Sequence, residues 1–140
     1  MKKNYEILAK YIKDMSSETP DVETFIFVKD YISKYQLNID IKSIPLKDKM
    51  VEINTIMKFE DKNENKKKSH FELNYATIID VNDTVKEKKD LEKIILCDVQ
   101  IEISPFLEKS LLDLLHNSGF PEIKFEKKIN FEKLFTERLN

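Results

Sequence analysis

Glycine is almost absent from this chain, which has one glycine in 140 residues. Phosphate-cradling loops and dinucleotide-binding fingerprints need several glycines so that the backbone can approach a phosphate closely, and Gly119 alone cannot supply them. Nucleotide chemistry of those types is therefore not expected. Tryptophan is absent, and the single cysteine, Cys97, cannot form a disulfide within the chain.

Long apolar runs are also missing. No stretch approaches the roughly 20 apolar residues that a membrane-spanning helix needs, and the start of the chain lacks the apolar segment that follows the lysines of a signal peptide. We therefore expect a cytoplasmic protein that does not insert into a membrane. The 24 basic and 26 acidic residues give a net charge of −2, which excludes a basic coat for nucleic acid.

The chain is long enough to form its own core. Hydrophobic residues make up 41% of the 140, and a folded chain of about 150 residues buries roughly 68–70% of the surface that it exposes when unfolded. No internal repeat and no linker composition divides the sequence. We expect a single domain over residues 1–140.

Three segments alternate between apolar and polar residues with the period of two that is typical of β-strands with one wet face. They cover residues 37–42, 51–59 and 71–81. The polar residues 60–68 separate the last two segments, which predicts a β-hairpin with a long surface loop. A second polar loop is expected at residues 82–90.

Helical signals come late in the chain. Ser104 and Pro105 fit an N-cap and a first turn, leucines form a stripe after them, and Gly119 lies where this helix should end. A last short helix is expected to begin at Asn130. Strands followed by helices predict an α+β domain with helices against one face of an antiparallel sheet. The spacing of residues 5–15 fits both a strand and a helix, and the local pattern favours a helix.

Cysteine and histidine are too few and too far apart to suggest a catalytic or metal site. Cys97 lies in the apolar run IILCDV, which is typical of a buried structural cysteine, and His70 and His116 show no zinc-type spacing with it. We expect no metal and no cofactor. A small cysteine hydrolase with Cys97 as nucleophile remains an alternative from another class.

Asp14 and Glu18 are carboxylates four residues apart. This spacing places both on one face whether the segment is a strand or a helix. With Ser16 between them they form an acidic stripe that could receive a basic partner, although surface solvation is the ordinary explanation for such residues.

Two distant segments, YIKDMSSETP at residues 11–20 and NSGFPEIKFEKKINFEKLF at residues 117–135, resemble the SecB family of export chaperones. The first matches the family pattern Y-x-K-D-x-S-x-E-x-P. The second keeps a Phe-Pro pair and most of a V-N-F-D-x-L-F pattern, and FVKDY at residues 27–31 is similar to the family's F-Q-K-D-W. The three motifs occur in order and span nearly the whole chain.

The resemblance implies four antiparallel strands followed by two C-terminal helices on one face, and a homotetramer built as a dimer of dimers. The first segment then becomes a strand, which would give Tyr5, Ile7, Ala9 and Tyr11 a common face. The family has no enzymatic activity. It holds unfolded secretory precursor polypeptides in a translocation-competent state and delivers them to the ATPase SecA.

The resemblance also assigns residues to three surfaces. The client-binding groove corresponds to Phe27, Tyr31, Tyr35, Leu37, Ile39, Phe131, Leu134 and Phe135. The contacts with the basic, zinc-bearing tail of SecA correspond to Asp14, Glu18 and Glu72. Phe71 and Leu73 correspond to positions near subunit contacts, and the helix from Pro105 would pack between dimers.

The chain departs from the family pattern at Ala76 and Thr77, where the family has glycines, and at His70 and Glu108. These departures leave the strength of SecA docking and the geometry of the tetramer open. The nearest alternative is a SecB-like chaperone dedicated to one antitoxin.

Overall fold

The computed structural model describes residues 4–63, residues 66–125 and residue 133. The elements are β1 (Tyr5–Glu18), α1 (Val22–Tyr31), β2 (Gln36–Pro45), β3 (Met50–Glu60), β4 (His70–Val81), α2 (Lys88–Lys93) and α3 (Val99–Asn117). A short 3-10 turn at Ile32–Lys34 precedes β2, and another at Lys47–Lys49 precedes β3. A π-helical turn at Ile94–Asp98 joins α2 to α3. Within the described ranges, no helix is both long and apolar enough to cross a membrane.

The strands form one four-stranded antiparallel sheet in the order β1-β4-β3-β2. This confirms the expected sheet and the hairpin between residues 51–59 and 71–81. Met57 lies opposite Leu73, and Val51 opposite Ile79. These buried side chains define the core face, which packs against α3, and the other side of the sheet is the outer face.

The first segment is a strand, as the family resemblance implies and against its local helical spacing. Its pairing with β4 shifts register twice, first between Ile7 and Ala9. Tyr5 and Ile7 lie on the core face, whereas Ala9 and Tyr11 lie on the outer face. The expectation that these four residues share a face is therefore wrong, because the extra residue of a β-bulge reverses the alternation.

The helical region before residue 117 starts earlier than the sequence predicts. It begins at Lys88 and continues through the π turn, so Pro105 lies inside α3 and not in its first turn. Buried apolar residues of the π turn and of the first turns of α3 extend the stripe upstream, and their packing outweighs the hydrogen bond that proline cannot donate. The helix ends at Asn117, two residues before Gly119, which confirms the predicted end, and Gly119 has a φ of 108°. The last helix, expected from Asn130, lies outside the described residues.

Helix α1 fills the connection between β1 and β2, which the sequence patterns do not predict as helical. The Asp21 carboxylate caps it by accepting a hydrogen bond of 2.7 Å from the amide of Thr24, and this bond lowers the pKa of Asp21. Val28 is fully buried and joins α1 to the core. The cap and this contact place α1 beside the start of β2.

The core lies between the core face and α3. Ile53, Leu73 and Ile79 of the sheet join Leu107 and Leu111 of the helix, and each is at most 2% exposed. Burying one such side chain stabilises the fold by about 1.5–3 kcal/mol. This core supplies a rigid support for the surfaces described next.

Candidate functional site

An open pocket lies between α1, the start of β2 and residues 119–125, which follow α3. Its volume is about 820 Å³. Its apolar lining includes Phe25, Ile32, Leu37, Phe59, Phe120 and Phe125. A concave and mostly apolar site of this size is typical of ligand-binding pockets.

Aromatic rings hold the pocket walls together. The ring centroids of Phe25 and Phe120 lie 5.3 Å apart, and those of Phe59 and Phe125 lie 6.1 Å apart in an edge-on arrangement. Such pairs contribute about 0.5–1.5 kcal/mol beyond their burial. These pairs therefore add to the stability of the pocket walls.

Tyr35 lines the same pocket and is 6% exposed. Its hydroxyl accepts a hydrogen bond of 3.0 Å from the amide of Ser69, and its ring lies 5.6 Å from that of Phe59. Burial raises the pKa of Tyr35 above its usual value. Tyr35 is thus a neutral and fixed part of the wall.

The predicted groove residues divide between two places. Tyr35 and Leu37 line the pocket, whereas Phe27 and Tyr31 do not and stack on each other 5.4 Å apart. Ile39 lies further along β2 on the core face and is partly buried. Three more predicted residues lie outside the described part of the chain: Phe131, Leu134 and Phe135. A role in client binding stays a prediction for all of them.

The sequence patterns did not identify Phe25, Phe59 or Phe120 as pocket residues. On a helix, Phe25 shares a face with Lys29 and Ile32, four and seven residues later, and all three line the pocket. Recognising the Asp21 cap would have indicated this helix. No local signal brings Phe59 or Phe120 to it, because they belong to distant segments.

The three predicted acidic contacts meet on the outer face. Ser16 of β1 lies directly opposite Glu72 of β4, and Asp14 and Glu18 lie two residues to either side of Ser16. Diagonal neighbours of this kind are about 7–8 Å apart. Asp14 and Glu18 therefore flank Glu72 and share a face, as their spacing predicts, while their contact with SecA stays a prediction.

The outer face is more acidic than the chain as a whole. The register assigns eight carboxylates to it: Glu6, Asp14, Glu18, Asp40, Glu52, Glu60, Glu72 and Asp80. Three lysines accompany them: Lys13, Lys42 and Lys58. The outer face therefore has an excess of five negative charges, whereas the formal charge of all 140 residues is only −2. Charge of one sign on one surface attracts a partner of the opposite sign.

On the outer face, Glu52 of β3 makes side-chain contacts with the edge strand β1. Its carboxylate accepts hydrogen bonds from Lys13 at 2.6 Å and from the Tyr11 hydroxyl at 3.3 Å. Both donors lie on β1, so the contacts cross the intervening strand β4. The hydrogen bond with Lys13 lowers the pKa of Glu52 and raises that of Lys13.

Phe71 and Leu73 are core residues of the single chain, with exposures of 2% and 0%. They point to the core face of β4, which is an inner strand paired on both sides. Almost none of their side-chain surface is left for a second subunit. A role for these two residues near a subunit contact stays a prediction. Their burial within the single chain argues against it.

Cysteine and histidine do not form a catalytic pair. Cys97 is 2% exposed, as expected for a structural cysteine. His116 follows it by 19 residues along the same helical run, which amounts to about 28 Å at a rise of about 1.5 Å per residue. His70 lies on the outer face. The cysteine hydrolase alternative therefore lacks a histidine base beside its nucleophile. Within the described ranges, no group of histidine, cysteine and acidic residues could hold a metal ion.

Comparisons with known proteins agree on one family. A family model described as preprotein translocase subunit SecB matches residues 1–140. A Pelagibacter ubique protein assigned as a protein-export protein SecB is 55% identical over 140 residues, covering 100% of both chains. The protein-export protein SecB of Paraburkholderia phymatum is 29% identical over 135 residues, covering 96% of this chain and 84% of that one.

A solved structure shows the same fold. A SecB-like chaperone of Mycobacterium tuberculosis, in complex with a peptide from an antitoxin, matches with a TM-score of 0.62 and 11% identity. The match covers 90% of this chain and 91% of that one. With the family match over its whole length, the chain belongs to the SecB family of protein-export chaperones.

Proposed function

We propose that this protein is an ATP-independent holdase that keeps unfolded secretory precursors competent for translocation. The observation that carries the proposal is the aromatic pocket of about 820 Å³, open at the surface of a SecB-family chain. An unfolded client exposes apolar side chains that a native protein buries, so the pocket recognises the state of the client more than its sequence. Binding then draws the client away from folding by mass action. This task requires neither a cofactor nor a catalytic residue, and we place it in the cytoplasm, in one domain of residues 1–140.

The energetics of one pocket favour weak and repeated contacts. An aromatic side chain of the client buries about 150–250 Å², which gains about 4–6 kcal/mol at about 25 cal/mol per Å². Lost translational freedom and ordering of the client offset much of this gain. Tight holding therefore needs several pockets along one client chain, which an oligomer provides.

We further propose a homotetramer arranged as a dimer of dimers. Ile12 and Met15 of the edge strand β1 are 45% and 51% exposed on the side of the core face. Phe106 of α3 is 45% exposed, and the Lys10 ammonium lies 3.7 Å from its ring centroid. Light scattering should give about four times the chain mass of 16.6 kDa. A monomer at working concentrations would contradict this part of the proposal.

Delivery to SecA is assigned to the outer face, with Asp14, Glu18 and Glu72 contacting the basic, zinc-bearing tail of that ATPase. The support is the placement of these residues around one point and the negative excess of the surface. Docking should be salt-sensitive, because the Debye length is only about 8 Å at 0.15 M. The zinc belongs to SecA. Leu37 and Phe59 of the pocket lie on the core face, so client and SecA would occupy opposite sides of the sheet.

A refolding assay tests the holdase function. A denatured secretory precursor is diluted into buffer with and without stoichiometric amounts of this protein, in the absence of ATP. We expect refolding to slow in proportion to the chaperone added, and a mature protein that is already folded should be unaffected. Refolding at the same rate with and without the chaperone would overturn the proposal.

The second candidate is a chaperone dedicated to one antitoxin, since the solved relative was captured with an antitoxin peptide. The acidic outer face favours export, because a dedicated chaperone needs no docking surface for SecA. Affinity purification from cells discriminates the two. Recovery of one antitoxin and no secretory precursor would favour the dedicated chaperone over the export chaperone.

A further inference from the structure

The second β-bulge of β1 decides which way the acidic residues point. The register shifts between Ile12 and Asp14, with Lys13 as the extra residue. Ile12 lies opposite Tyr75 on the core face, and Asp14 lies on the outer face. Without the extra residue, strict alternation after Ile12 would turn Asp14, Ser16 and Glu18 to the core side, away from Glu72.

The bulged residue is held from the far side of β4. Lys13 reaches Glu52 of β3 at 2.6 Å, and the Glu52 side chain is only 12% exposed while that of Lys13 is 41% exposed. Glu52 also accepts from Tyr11, which precedes the bulge. Two donors of one edge strand, one before the bulge and one at it, therefore converge on a single carboxylate of β3.

We propose that Lys13 and Glu52 are positioning residues: their ion pair holds the bulge, and the bulge keeps Asp14 and Glu18 beside Glu72 on the surface that docks a basic partner. The inference rests on the proposed docking of SecA for its functional part. Its structural part, the register of β1 against β4, is independent of any partner.

If Lys13 has this role, its removal should change the affinity for the partner in the direction opposite to that expected from charge alone. Lys13 is a cation on a face that binds a cationic partner, so its removal should strengthen binding if charge alone mattered. If Lys13 holds the bulge, its removal weakens binding. Lys42 provides the matched control, because it lies on the same face and only approaches Asp40, at 3.9 Å, with both side chains more than half exposed.

Titration calorimetry with a synthetic peptide of the zinc-loaded basic tail of SecA tests the functional part. Lys13→Met should weaken binding about fivefold or more, Lys13→Arg should bind like the wild type, and Lys42→Met should bind equally well or more tightly. Lys13→Ala should weaken binding like Lys13→Met, and it serves where Lys13→Met does not fold. Binding of Lys13→Met as tight as that of Lys42→Met would overturn the positioning role.

A register probe tests the structural part without SecA. Ser16 and Glu72 lie directly opposite each other, so the double variant Ser16→Cys with Glu72→Cys should form a disulfide readily in a glutathione buffer. Adding Lys13→Met should lower the oxidised fraction, whereas adding Lys42→Met should not. An unchanged oxidised fraction would refute the role of Lys13 in the bulge. If the wild type binds no tail peptide while the probe responds as expected, the SecA proposal fails and the bulge assignment stands.

Discussion

Gly119 lies against the ring of Phe25. A Cβ atom built on Gly119 would come within 3.0 Å and 3.1 Å of two carbons of that ring, and its φ of 108° is rarely adopted by other residues. The one glycine of the chain thus allows the segment after α3 to turn back against α1. This close approach forms one wall of the pocket.

Substitution Gly119→Ala should therefore lower the free energy of unfolding by about 1–3 kcal/mol, because strain in the backbone adds to the clash with Phe25. Urea denaturation measures the change. Glu122→Ala, in the same segment at an exposed position, is the control and should leave stability unaltered. Equal stabilities of the two variants would show that the close approach is relaxed in solution.

Removing the Phe25 ring should weaken client binding. Phe25→Ala takes away apolar surface from the pocket wall, so we expect the concentration needed to slow precursor refolding to rise about three- to tenfold. Val22→Ala on the same helix is the control, because Val22 is 69% exposed and does not line the pocket. If both variants hold the client equally well, this pocket is not the client site.

Reversal of charge on the outer face should separate the two binding activities. The double change Asp14→Lys with Glu18→Lys is expected to abolish most of the affinity for the SecA tail and its salt dependence, because it alters the local charge by four units. Client holding should stay near the wild-type level, since the pocket lies across the sheet. Parallel loss of both activities would argue against separate surfaces.

Two buried threonines should respond oppositely to the same change. The Thr55 hydroxyl donates to the Gln100 side chain at 3.0 Å, whereas the Thr77 hydroxyl has no partner among the described residues; both side chains are 0% exposed. Thr55→Val should cost about 1–3 kcal/mol because it leaves the Gln100 oxygen unpaired. Thr77→Val should be neutral or stabilising by up to about 1 kcal/mol. Thermal and urea unfolding compare them directly.

Glu52 should contribute to stability in a pH-dependent way. Lys13 holds the pKa of Glu52 below its ordinary value of 4.5. The unfolded chain therefore binds this proton more readily, and the stabilisation is complete above about pH 4.5 and is lost as the pH falls through the lower pKa of the folded state. The stability difference between the wild type and Glu52→Gln should be largest at pH 7 and shrink toward pH 3. A difference that is constant across this range would contradict the assigned ion pair.

Much of the sheet could be predicted from local alternation, because each side chain reports the face that its own strand presents. The hairpin of β3 and β4 and the common face of Asp14 and Glu18 follow from that rule. The start of the helical region could not be predicted in this way. The Ser104–Pro105 signal is local, whereas the burial that extends the helix back to Lys88 depends on the sheet beneath it.

Periodicity, the scarcity of glycine and three ordered motifs were enough, without coordinates, to indicate an α+β chaperone of the SecB family and to exclude nucleotide-binding loops. Only the tertiary structure decided that β1 carries two bulges, that Phe27 and Tyr31 do not line the pocket, and that Phe25, Phe59 and Phe120 do. The physical reason is the distance along the sequence over which each feature is determined. Alternation along a strand is fixed by neighbouring residues, but a bulge held by a residue two strands away and a wall built from three segments exist only after the chain has packed.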